Sequence, residues 1–190
     1  MGKRNKGKPV TKALDASELE SFLADYKVYP ALTARLDAFH GDYDAKTINE
    51  IVLWKLSRYV ELPDSLLRLL NTVRSLLLGQ HEQARELITD LQNVVGVQIA
   101  MASTFLRFAN PEVFQIMDGH AYRAVYGTTL EDRLKIEKTA GARTKLYLKY
   151  LEDLRDLCEK KGIRFNDADR ILFEFDKQTN PPLKPRRELK

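Results

Sequence analysis

The chain has 190 residues, 44% of them hydrophobic, with one cysteine, three histidines and a formal net charge of +4. That length predicts a single domain with enough chain for a substantial core. Cys158 alone excludes an intrachain disulfide and a four-cysteine iron–sulfur cluster, and the scattered histidines argue against a structural zinc site; no metal or other cofactor is expected.

In chain order, residues 1–12 come first as a basic tail, with Lys3, Arg4, Lys6, Lys8 and Lys12 and no acid. No run of about eighteen apolar residues occurs anywhere, and none follows the basic start, so neither a membrane span nor a secretory signal is expected and the chain is placed in the cytoplasm. The folded domain is expected over 13–178. Asp15 with Glu18 and Ser17 with Glu20 form a doubled capping-box pattern that starts a helix over 15–27. Thr47 and Glu50 repeat the pattern and start a helix that runs to about Tyr59, carrying Ile51, Val52, Trp54 and Leu56. Pro63 and Asp64 open an apolar helix to Leu78, which Gly79 ends. Further helices are expected over 81–92, 98–109, 119–126, 141–161 and 166–177, and no strand-like alternation or internal repeat intervenes. The fold class is therefore all-α, an array of helices joined by short loops.

Tyr147, Tyr150, Leu151, Leu154 and Leu157 recur at helical spacing and are expected to pack on the segment with Ile171, Leu172, Phe173 and Phe175. Asp167, Asp169 and Arg170 read as a helix start rather than metal ligands. Pro181, Pro182 and Pro185 mark the end of folded chain, leaving 179–190 as a second basic tail. Setting aside residues 1–12 and 177–190 leaves 21 bases against 26 acids, so the basic balance belongs to the ends. Such ends raise affinity for nucleic acid through counterion release, or simply keep the chain solvated; composition does not separate the two. A duplex-binding face must be positive, so a net-acidic centre weighs against DNA unless a local patch exists.

Two features in the middle of the chain carry chemistry. Val94-Val95-Gly96-Val97-Gln98 lies between helical patterns, as a tight turn does in which Gly96 takes a left-handed backbone. Backbone N–H groups at the start of the next helix, together with its dipole, suit a phosphate without any basic side chain; a glycine that merely ends a helix reads the same way. Asp118 follows the apolar run Val113-Phe114-Gln115-Ile116-Met117 and precedes the helix-like Gly119–Val125. Read without any resemblance, it suits first of all an N-cap, worth about 0.5–2 kcal/mol without chemistry, ahead of a carboxylate presented for chemistry at a helix start.

In this order, the two features resemble the helix-hairpin-helix DNA glycosylases, whose hairpin reads Leu-Pro-Gly-Val-Gly and whose catalytic aspartate lies in a Val-Asp-Thr-His-Val-x-Arg pattern. Residues 94–98 stand for the hairpin, and Asp118, His120 and Arg123 fall on the Asp, His and Arg. The match covers about thirty residues and includes Ala102 in the helix after the hairpin. A group of uncharacterised bacterial members is similar also in ending like Asn166–Phe175. The resemblance implies double-stranded DNA as partner, contacted by Val95, Gly96, Val97, Gln98, His120 and Arg123, with Asp118 stabilising positive charge on the deoxyribose or helping to activate water. It also implies that the helix around Trp54, Lys55 and Arg58 fills the gap left by a flipped base. Read without the resemblance, Trp54 suits an apolar core stripe, Lys55 and Arg58 a solvated face, and His120 a surface position.

Two positions depart from the pattern. Gln98 replaces the second hairpin glycine, and Ala100 stands where strand-cutting members carry the lysine that forms a Schiff base with the sugar. The expected activity is therefore base excision without lyase chemistry. The alternatives are a non-catalytic DNA-binding module of the same fold and a helical protein-interaction domain; no particular protein partner is indicated.

Overall fold

A computed structural model describes residues 27–183; the expected helix from residue 15, and the last seven residues, lie outside them. The described residues contain nine α-helices and no strand, so the chain is all-α. They fall into two compact units divided between Tyr59 and Val60.

The first unit holds α1 (Pro30–Asp37) and α2 (Ala45–Lys55). Pro30 opens α1 at the position where a missing N–H leaves nothing unsatisfied. Asp44, not Thr47, caps α2: its carboxylate accepts the Thr47 N–H at 2.7 Å, which holds the acid below its ordinary range. Glu50, expected as the reciprocal half of a box, instead takes Arg35 of α1 at 2.6 Å. The helix stops four residues short of Tyr59. Ser57 turns left-handed at φ 52°, so that its N–H reaches the Trp54 carbonyl and the Arg58 N–H reaches that of Leu53, the two bonds of a Schellman cap.

The second unit begins with α3 (Asp64–Thr72), tightened into a 3₁₀ turn over Val73–Ser75. It ends well before Gly79 because the side-chain amide of Asn110, distant in sequence, donates to the Val73 and Leu76 carbonyls at 2.8 and 3.0 Å and satisfies them off the helix. A 3₁₀ turn at His81–Ala84 leads into α4 (Arg85–Leu91), followed by α5 (Ile99–Ala109), α6 (Gly119–Tyr126), α7 (Leu130–Ile136), the long α8 (Ala140–Lys161) and α9 (Ala168–Thr179). Thr129 caps α7: the Asp132 N–H donates to the Thr129 hydroxyl, which donates to the Asp132 carboxylate.

α8 is the spine of this unit. Tyr147, Leu148, Tyr150, Leu151 and Leu154 are buried along it, and α4, α5 and α6 pack against it around Ile88, Leu91, Ile99, Leu106 and Phe114. The last helix departs from expectation. α9 lies on α6 rather than flat on α8, and only Leu172 of its expected face is buried; Ile171 and Phe175 are exposed. No described helix is long and apolar enough to cross a membrane.

Candidate functional site

The turn around Gly96 is built by local bonds. Val94 N–H reaches the Leu91 carbonyl at 3.2 Å and Val97 N–H the Val94 carbonyl at 3.0 Å, which closes the chain between α4 and α5 while Gly96 sits at φ 83°. A Cβ there would meet Val60 at 3.6 Å, an ordinary contact, so the site demands glycine for its backbone and not for space. Gly96→Ala is expected to destabilise by about 1–2 kcal/mol through that strain alone. It should lower the urea midpoint and leave the slope unchanged; an unmoved midpoint would mean that the turn relaxes at no cost.

Val95 is 89% exposed at the tip, beside exposed Gly96 and Gln98, while Val97 and Ile99 are buried and anchor it. Gln98 is the N-cap of α5, so the helix presents its N-terminal end and partial positive charge at this exposed tip.

Asp118 reaches its position through the core. Val113, Phe114, Gln115 and Met117 are fully buried in the segment before it. An irregular buried segment must find partners for its backbone. The hydroxyls of Tyr147 and Tyr150 on α8 donate to the Gln115 and Ile116 carbonyls at 2.9 and 3.0 Å, and Met117 N–H donates to the Ser103 hydroxyl of α5 at 3.0 Å. Ser103 is four residues beyond Ile99, so this last bond ties the residue before Asp118 to α5 within about 6 Å, along the axis, of the hairpin end. Asp118 then caps α6, its Oδ1 accepting the Ala121 N–H at 2.8 Å, and its side chain stays partly exposed. Burial raises the Tyr150 hydroxyl well above its ordinary range, and the Tyr147 hydroxyl and the Asp118 carboxylate add to the effect.

His120 and Arg123 reach α9. Asp176, with a fully buried side chain, accepts Arg123 Nε and Nη2 at 2.8 Å each, His120 Nδ1 at 2.7 Å and the Asn180 amide at 2.8 Å. The bidentate Arg123, with His120 and Asn180, outweighs burial and holds the Asp176 carboxyl at about 2. Arg123 also donates to the Pro181 carbonyl at 2.9 Å, and Leu183 lies against Gly119, so the chain after α9 folds back over the start of α6. The donors expected to touch DNA therefore join α6 to α9.

Trp54, Lys55 and Arg58 belong to the first unit. The Trp54 indole is half-buried and donates to the Thr33 hydroxyl at 2.9 Å. Lys55 is the last residue of α2 and Arg58 lies beyond it; both are exposed, and they do not share a helix face.

An open groove of about 730 Å³ lies elsewhere, between α4, α7 and the start of α8, and none of the residues above lines it. Its Arg85, Arg133 and Lys149 pair with Glu82, Glu137 and Asp153. The chain matches no known protein family, no curated protein and no solved structure.

Sequence reasoning missed Asp176, the centre of the polar cluster, and Ser103. Tyr147 and Tyr150 stood out as apolar stripe residues, yet a buried tyrosine hydroxyl needs an acceptor, and that requirement was the available signal.

Proposed function

We propose that the chain binds duplex DNA in the manner of the helix-hairpin-helix glycosylases and hydrolyses the N-glycosidic bond of a damaged base without cutting the strand. The observation that carries this reading is the bond from Met117 N–H to the Ser103 hydroxyl, because it couples Asp118 to the helix whose N-terminal end lies at the Gly96 tip. Backbone amides at that tip hold a DNA phosphate, which brings the neighbouring deoxyribose toward Asp118. As the base leaves with the bonding electron pair, positive charge grows on the sugar, and the ionised carboxylate opposes it at short range. The Ala121 N–H fixes the orientation of Oδ1. Water then adds its oxygen to the sugar carbon and gives up a proton, which the departed base takes up where it leaves as an anion and solvent takes up where it leaves neutral. With Ala100 at the position of the strand-cutting lysine, no amine captures the sugar at that point.

The test is release of free base from duplexes that each carry one alkylated, oxidised or deaminated base. Release from any of them, with the strand intact until alkali is added, is the expected result. DNA binding without release would favour the second reading, a non-catalytic binding module, to which Gln98 in place of the second hairpin glycine already points. Absence of both overturns the proposal.

A further inference from the structure

We propose that His81, Glu82 and Glu152 form a binding site for one divalent transition-metal cation, Zn²⁺ by the chemistry of its ligands. The inference concerns a cluster apart from Asp118 and the hairpin and does not depend on the function proposed for them.

His81 opens the 3₁₀ turn ahead of α4 and is 92% buried, at 8% exposure. Both of its ring nitrogens are shut off from solvent, and neither has a hydrogen-bond partner. A buried imidazole with no partner loses its hydration without replacement, a penalty that native folds normally avoid. Nε2 faces Glu152 of α8 with Oε1 at 3.8 Å, too far for a hydrogen bond. One ligand atom from each of His81, Glu82 and Glu152 lies within 4.8 Å of the other two.

The separation of His81 and Glu152 suits an ion shared between them, with Glu82 near enough to join. Two ligands held at about 2.1 Å from a tetrahedral ion stand roughly 3.4 Å apart. The Glu152 oxygen is a few tenths of an ångström from that spacing. Glu82 and Glu152 have side chains 49% and 50% exposed, so each closes on an ion by rotating its own bonds while the buried imidazole stays in place. Neither carboxylate is fully committed elsewhere. Arg85 holds Glu82 through Oε2 only, and Lys149 is 2.8 Å from Asp153 but 3.6 Å from Glu152 Oε2, which leaves Oε1 on the His81 side.

One imidazole and two carboxylates with a fourth position for water make a borderline ligand set that favours Zn²⁺ over the harder Mg²⁺. Bound there, the ion ties the turn that starts the first hairpin helix to the middle of α8, and it gives Nε2 the partner it lacks.

The full chain, stripped with chelator, is titrated with CoCl₂ and then ZnCl₂. The expected result is a visible Co²⁺ band of four-coordinate intensity that saturates at one equivalent, is displaced by Zn²⁺ and is not displaced by MgCl₂. Glu152→Gln and His81→Gln should each weaken Zn²⁺ binding by about tenfold or more. Glu152 is at the surface, so its variant keeps the fold and reads the ligand role directly; loss of melting-temperature elevation by ZnCl₂ in that variant would accompany the weaker binding. Absence of the band in the wild type, or unchanged Zn²⁺ affinity in Glu152→Gln, overturns the site and leaves His81 and Glu152 as an ordinary acid–base pair.

Discussion

Asp176→Ala is expected to lower the stability of the chain by about 3 kcal/mol, at the low end of the range for removing one partner from a buried ion cluster. The position within that range follows from the geometry. Asp176 accepts four hydrogen bonds with no exposure of its own, whereas Arg123 keeps 13% and His120 24%, so water relieves part of the charge left behind. For a domain of this size the loss corresponds to a melting temperature lower by roughly 6–12 °C. It should come with loosening of α9, which this cluster holds on α6, visible as faster amide exchange in residues 168–179. A shift below about 2 °C would show that apolar contacts alone hold the two helices together.

The same carboxylate makes stability depend on pH. Its pKa falls from 3.8 to about 2 on folding, chiefly through the Arg123 hydrogen bonds, so the folded state is the weaker proton binder. The resulting stabilisation, roughly 2 kcal/mol, is fully present above the unfolded value and is lost as pH falls from about 4 toward 2. Urea midpoints measured down that interval should fall more steeply for the wild type than for Asp176→Ala. Parallel curves would mean that the cluster does not depend on the ionised acid.

Asp118→Asn is expected to reduce base release by about 10²–10³-fold, the effect of removing one preorganised electrostatic stabiliser of a transition state. The substitution separates the two roles of this side chain. Asparagine caps helices as well as aspartate does, so the Ala121 N–H keeps an acceptor and the fold is retained. On the proposed mechanism DNA affinity should remain unchanged, because the missing charge would act only as the bond to the base breaks. Asp118→Ala removes the cap as well and is expected to lose a further 0.5–2 kcal/mol or about that in stability. If Asp118→Asn released base at the wild-type rate, the carboxylate would be a cap and nothing more; if it lost DNA binding as well, the residue would support the fold of the interface.

Much of the local architecture is legible in the residues. The helix behind Asp118 and the long helix ending at Gly162 each announce themselves by a cap and a glycine stop, and the helix over 99–109 by its apolar period alone. The left-handed turn at Gly96 is of the same kind. Two short helices escaped, α1 and α7, although Pro30 and the Thr129–Asp132 pair are recognisable starts. The end of α3 moved because a distant group, Asn110, satisfies its carbonyls, and Arg35 drew Glu50 out of the expected box; both ends of α2 moved through local bonds, the Asp44 cap and the Schellman cap at Ser57.

What the sequence by itself determined is therefore the all-α class, the left-handed turn at Gly96 and the capping position of Asp118, because each depends on bonds between residues three or four apart. The tertiary structure alone decided that Met117 joins Ser103, that His120 and Arg123 reach 56 and 53 residues along the chain to Asp176, and that His81 faces Glu152. Helical periodicity says which face of a helix is buried. It carries no information about which polar groups on other helices meet that face, and in this protein those meetings set the site.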